Sequence, residues 1–100
     1  MGTSLAAMKK RYPMASHAPT KDDIRLKTAE ACKNVGIFIR SERKKRGITQ
    51  EKLAEFAGIS EKYLSSIENG KEGNISLGYL VAVGLVLEIE LNDWFRQDEP

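Results

Sequence analysis

The strongest constraint on the fold is the punctuation between residues 47 and 76. Thr49, Ser60 and Ser76 each precede a run with helical spacing, and each carries an oxygen that can accept from the free amides of a first turn. Gly58 breaks the first run, and Asn69-Gly70 ends the second. Upstream, Lys44, Lys45 and Arg46 form a basic last turn before Gly47, as suits the negative end of a helix dipole. The pattern predicts a helix ending at Gly47, a second from Thr49 to Gly58 and a third from Ser60 to Asn69. After a turn over Lys71 to Asn74 come a fourth from about Leu77 to Leu87 and a short fifth near Leu91 to Phe95. The last would return Trp94 and Phe95 to the core. The class is all-α.

Ahead of this block, Thr20 can cap a helix whose first turn carries Asp22 and Asp23. Ile24, Ala31, Val35 and Phe38 follow at roughly helical spacing, and Gly36 leaves open one long helix or two pieces. Residues 1–19 lack periodicity and carry Pro13, Pro19 and the basic cluster Lys9, Lys10 and Arg11, which reads as a flexible basic arm. The expected organisation is therefore an arm over 1–19, a helical extension or the start of helix one over 20–34, a domain over 35–96 and a tail over 97–100.

Charge divides the chain. The stretch from Met1 to Arg46 holds 12 basic and 4 acidic residues, while Gly47 to Pro100 holds 4 basic and 10 acidic. A split of this kind implies an anion-facing region at one end and another role for the acidic end. One cysteine, Cys32, and one histidine, His17, cannot build the common zinc sites, and no disulfide can form within the chain, which fits the cytoplasm. The longest uncharged run, Gly73 to Leu87, is too short to span a bilayer, so no membrane role is expected. An enzyme is not expected either. Thr49, Ser65 and Ser66 have no plausible histidine base, and Glu88, Glu90 and Asp93 lack a metal-loop pattern.

A helix, a tight glycine turn and a second helix over Thr49 to Asn69 make a DNA-reading motif. At 100° per residue, Leu64 and Ile67 fix the inward side of the third helix. Lys62, Ser65, Ser66 and Asn69 then lie opposite, with Glu61 and Tyr63 at the flanks. These groups can hydrogen-bond base edges and phosphates.

The run Val35-Gly36-Ile37-Phe38-Ile39-Arg40-Ser41-Glu42-Arg43-Lys44-Lys45-Arg46-Gly47-Ile48-Thr49-Gln50-Glu51-Lys52-Leu53-Ala54 resembles the opening of the phage-repressor, Cro-like helix-turn-helix family, often called XRE. Ala57-Gly58-Ile59-Ser60, Tyr63-Leu64-Ser65-Ser66-Ile67-Glu68-Asn69-Gly70 and Ser76-Leu77 continue the resemblance in order, to about Phe95. It implies a five-helix, lambda-repressor-like DNA-binding domain that acts without a cofactor. It also implies phosphate contacts at Gln50 and Asn69, to which the flanking Thr49, Tyr63 and Lys71 are added. Base contacts fall on Glu61, Lys62, Ser65 and Ser66. An ion pair between Arg43 and Glu68, locking the reading helix to helix one, is implied as well.

This sequence departs from the family pattern at several positions. Glu61 puts a negative charge near DNA, where it either selects a cytosine N4 amino group or is merely tolerated. Lys52 stands where an acid often completes a capping box, Phe56 where a polar residue is usual, and Glu88 where a helix-ending glycine is common. The fourth helix is apolar all round. Leu77, Leu80, Val81, Gly84 and Leu87 are assigned to the core side, and Tyr79, Ala82, Leu85 and Val86, with Gly78, to a homodimer interface. A two-fold dimer would favour a palindromic site.

The function expected is a sequence-specific transcriptional regulator of double-stranded DNA, a repressor. An antitoxin, with a toxin partner clamped by Met1 to Thr28, or a controller of a restriction–modification operon is the alternative. A helix-turn-helix used only for protein contacts is a further one.

Overall fold

A computed structural model describes Ser4, Ala6, Ala7 and residues 17–94, which places Phe95 and the 97–100 tail, and most of the 1–19 arm, outside the described residues. Between residues 17 and 94 the chain forms five helices: α1 (Lys21–Lys45), α2 (Gln50–Ala57), α3 (Glu61–Glu68), α4 (Leu77–Leu87) and α5 (Leu91–Trp94). No strand occurs among the described residues.

Local chemistry sets each boundary. Thr20 and Asp23 form a reciprocal capping box: Asp23 N donates to Thr20 Oγ1 at 3.0 Å and Thr20 N donates to Asp23 Oδ2 at 2.8 Å. Single hydroxyl caps open α2, α3 and α4, where Thr49 accepts from Lys52 N, Ser60 from Tyr63 N and Ser76 from Tyr79 N. Gly47, Gly58 and Gly70 take the left-handed conformation that turns the chain between helices. Glu88 takes it too, at φ 57°, as the C-cap of α4.

Residues Val35 and Ile39 of α1, Leu53 and Ala54 of α2, Leu64 and Ile67 of α3, and Leu80, Val83 and Leu87 of α4 form one buried cluster. Burying side chains of this size contributes about 1.5–3 kcal/mol each. Helix α1 lies on α3, α2 packs on both α3 and α4, and α5 folds against the end of α4. Trp94 returns to the core edge as expected, meeting Phe38 edge-on with centroids 5.1 Å apart.

The structure decides one open question and corrects one expectation. First, α1 is one continuous helix, and its buried seam is Cys32, Val35, Gly36 and Ile39, ending in Arg43. Ile24 is 56% exposed, because the described core covers only the later turns of α1, and Ala31 is exposed beside the buried seam at Cys32. Gly36 does not break the helix. It is the point where α3 crosses, so close that a Cβ built there would sit 2.0 Å from the Ile67 carbonyl oxygen.

Second, the core side of α4 is Leu80, Val83, Gly84 and Leu87. Leu77 and Val81, expected inside, are exposed at 58% and 41%. Ala82 and Val86, expected on a free outer face, are half-buried, and Val86 packs against the core. A helix with no polar residue carries no marker of its own orientation, so only its neighbours decide which side is covered. The exposed apolar stripe is Leu77, Val81 and Leu85, with Gly78 beside it.

Candidate nucleic-acid interface

The site is built around the end of α3. Glu68 is fully buried at its side chain, where an unpaired carboxylate would be strongly disfavoured. Arg43 of α1 donates to it from Nε at 2.8 Å and from Nη2 at 2.9 Å, a bidentate pair that uses the planar fork of the guanidinium. The remaining terminal nitrogen, Nη1, donates to the Ile48 carbonyl at 2.8 Å, which ties in the turn between α1 and α2. The Glu68 carboxylate raises the Arg43 pKa above its ordinary value, against the opposing effect of burial, so the guanidinium stays charged.

Gln50, the first residue of α2, donates from Nε2 to Glu68 Oε1 at 3.1 Å. One buried carboxylate thus holds three elements together: the end of α1, the start of α2 and the end of α3. The amide of Gln50 keeps a second N–H and its oxygen for another partner. The link between Gln50 and Glu68, and that from Arg43 to Ile48, were not read from the sequence. The partners lie far apart along the chain, and no local pattern marks them.

Outside this lock, Glu61 and Lys62 are exposed at the start of α3. Ser65 and Ser66 follow one turn later, half-buried. Asn69, the C-cap of α3, donates from Nδ2 to Ser65 Oγ at 3.3 Å, which orients both polar ends and leaves the serine proton free to donate. Thr49 and Lys71 are exposed, although the Thr49 hydroxyl already accepts from Lys52 N. These residues surround one face formed by α3 and the N-terminus of α2.

Tyr63 stands apart from them. It is half-buried against the core, its ring 5.0 Å from that of Tyr79, so it bridges α3 to α4. Burial pushes its phenol up, helped by the nearby Glu72 charge, so the hydroxyl remains a donor through the neutral range. Phe56 is 63% exposed on α2.

The chain is similar in sequence and fold to known proteins. The model of the helix-turn-helix family matches residues 39–94. The HTH-type transcriptional regulator SlrR of Bacillus subtilis (strain 168) is 41% identical over 61 residues, which are 61% of this chain and 40% of SlrR. The chain spans less than two thirds of the length of the curated relatives it matches. Among solved structures, the N-terminal DNA-binding domain of SinR from Bacillus subtilis is similar at a TM-score of 0.60 and 33% identity, over 66% of this chain and 96% of that one. The restriction–modification controller protein C.AhdI from Aeromonas hydrophila is similar at a TM-score of 0.60 and 30% identity, over 64% and 96%. With the five helices, the glycine turn at Gly58 and the family match in agreement, the chain belongs to the XRE-type helix-turn-helix family.

Proposed function

We propose that the chain is a sequence-specific regulator of transcription that binds double-stranded DNA, a repressor acting as a dimer on a palindromic operator. The observation that carries this reading is the polar face of α3, clamped from behind by the buried Arg43–Glu68 pair. A helix that must enter a groove and align donors with base edges has to be rigidly mounted, and this one is tied to both preceding helices. Glu61, Lys62, Ser65 and Ser66 would read bases. Thr49, Gln50, Asn69 and Lys71 would hold phosphates, with Gln50 using the amide atoms that Glu68 leaves free, whereas Tyr63, turned toward Tyr79 and the core, would not.

The exposed stripe of Leu77, Val81 and Leu85 supports the dimer. A second copy covering it by two-fold symmetry would bury the exposed parts of three aliphatic side chains. Such a dimer places two reading helices about 34 Å apart, one turn of DNA. Selection of bound duplexes from a random pool tests the reading. Enrichment of a motif with two inverted halves supports it, and a pool that stays random refutes it.

The likeness to C.AhdI, over nearly all of that protein's length, favours a second reading, a controller of a restriction–modification operon. Genes for a restriction enzyme and its methyltransferase beside this one would support it. A toxin gene there would point instead to an antitoxin.

A further inference from the structure

The first two turns of α1 serve no purpose in the core. Residues 21–27 are all exposed, yet they form regular helix under their own capping box, and they precede the region matched by the family. Their position relative to α3 is specific. The stem of Lys33 lies over Gly70, where an ideal Cβ would meet Lys33 Cγ at 3.2 Å. Gly70 follows Asn69, so the Lys33 side chain passes directly over the end of the reading helix. The turn after Gly70 then runs back along α1: Lys21, Ile24, Arg25 and Thr28 line one shallow cavity of about 330 Å3 with Gly73 and Asn74.

One edge of the domain therefore gathers Lys71, Lys33, Arg25 and Lys21 from segments separated in sequence. Among the described residues, Lys21, Lys33 and Lys71 have no acidic partner, and Arg25 has only an exposed contact to Asp22 at 3.6 Å. At about 1.5 Å per residue, Lys21 and Lys33 stand about 18 Å apart along the axis, a span that several phosphates of one DNA strand also cover. These four cations border the polar end of α3, with Asp22, Asp23, Glu30 and Glu72 between and beside them.

We propose that the N-terminal half of α1 is a second phosphate-binding edge, with Lys33 and Lys21 engaging the DNA backbone alongside the contacts at the end of α3. The proposal rests on the DNA-binding reading and adds contacts to it. Phosphates carry no sequence information, so this edge strengthens binding to every duplex while α3 alone discriminates.

The test compares the full chain with the double variant Lys21→Met/Lys33→Met, which keeps the aliphatic stems and removes the charges. Affinity is measured across a salt series on the duplex enriched by selection and on a random duplex of equal length. Loss of two phosphate contacts in each protomer, four in the dimer, should lower the slope of log affinity against log salt by about 3.6, at about 0.9 per phosphate, on both duplexes alike. Phosphates whose ethylation blocks the wild-type chain should cease to matter for the variant. An unchanged slope and an unchanged interference pattern, with wild-type binding intact, would overturn this edge alone. A wild-type chain that binds neither duplex would overturn the DNA-binding reading with it. Far-UV circular dichroism of the variant, expected to match wild type, separates charge loss from unfolding.

Discussion

Arg43 of α1 and Glu68 of α3, 25 residues apart in the chain, meet in a bidentate pair of 2.8 and 2.9 Å with the carboxylate wholly buried. Removing one partner leaves a stranded charge in the interior, which costs about 3–5 kcal/mol. Glu68→Ala is expected to destabilise the domain by about 3 kcal/mol in a denaturant melt. A hydrophobic pair, Arg43→Met with Glu68→Leu, should recover most of that stability, because neither charge is then buried alone. Additive single and double effects would show that the two do not act as a unit.

Two helical glycines should respond in opposite directions to the same change. Gly36→Ala puts a methyl group 2.0 Å from the Ile67 carbonyl, so α1 and α3 must separate. A loss of about 3 kcal/mol is expected, at the upper end for overpacking. At Gly78 in α4 a Cβ would meet only Ser76 Oγ, at an ordinary 3.5 Å. Gly78→Ala should therefore stabilise by about 0.5–1 kcal/mol through helix propensity and a less flexible unfolded chain. Thermal melts of the two variants check both signs.

Glu88 holds a left-handed conformation that an L-residue adopts at a cost of about 1–2 kcal/mol. Glu88→Gly relieves the strain but adds freedom to the unfolded chain. The expected net gain is about 0.5–1 kcal/mol, which calorimetry would register as a melting temperature raised by roughly 2–8 °C. A lowered melting temperature would mean that the Glu88 side chain makes a contact worth more than the strain.

The uneven legibility of the sequence follows from the range of the forces involved. Thr20, Thr49, Ser60 and Ser76 act on amides three residues away, and Gly58 and Gly70 act on their own backbone, so helix ends were readable locally. The outward side of α3 was readable because Leu64 and Ile67 contrast with Lys62 and Asn69. Helix α4 offers no such contrast, so nothing in its sequence separates Val83, which is buried, from Leu77 and Val81, which are exposed. The meaning of Gly36 depends on Ile67 crossing it, a tertiary fact. Arg43 and Glu68 were paired only through the family resemblance, and the role of Gln50 in that lock became visible only in three dimensions.

The exposed stripe on α4 predicts the state of assembly. Val81→Lys with Leu85→Glu changes two exposed side chains and leaves Leu80, Val83 and Leu87 untouched. Sedimentation should find the wild-type chain dimeric at micromolar concentration and the variant a folded monomer with weaker binding to the selected duplex. A monomeric wild-type chain would reject the α4 interface.

The central claim is that α3 reads bases while the surrounding residues hold the backbone. Its most direct test is the ratio of affinity for the selected duplex to affinity for random duplex, measured at one salt concentration for wild type and for Lys62→Ala with Ser65→Ala. Each good base contact contributes about 1–3 kcal/mol of discrimination. The variant should therefore lose at least about tenfold in the ratio, with its affinity for random duplex falling far less. An equal loss on both duplexes, leaving the ratio unchanged, would contradict the assignment of α3 as the reading helix.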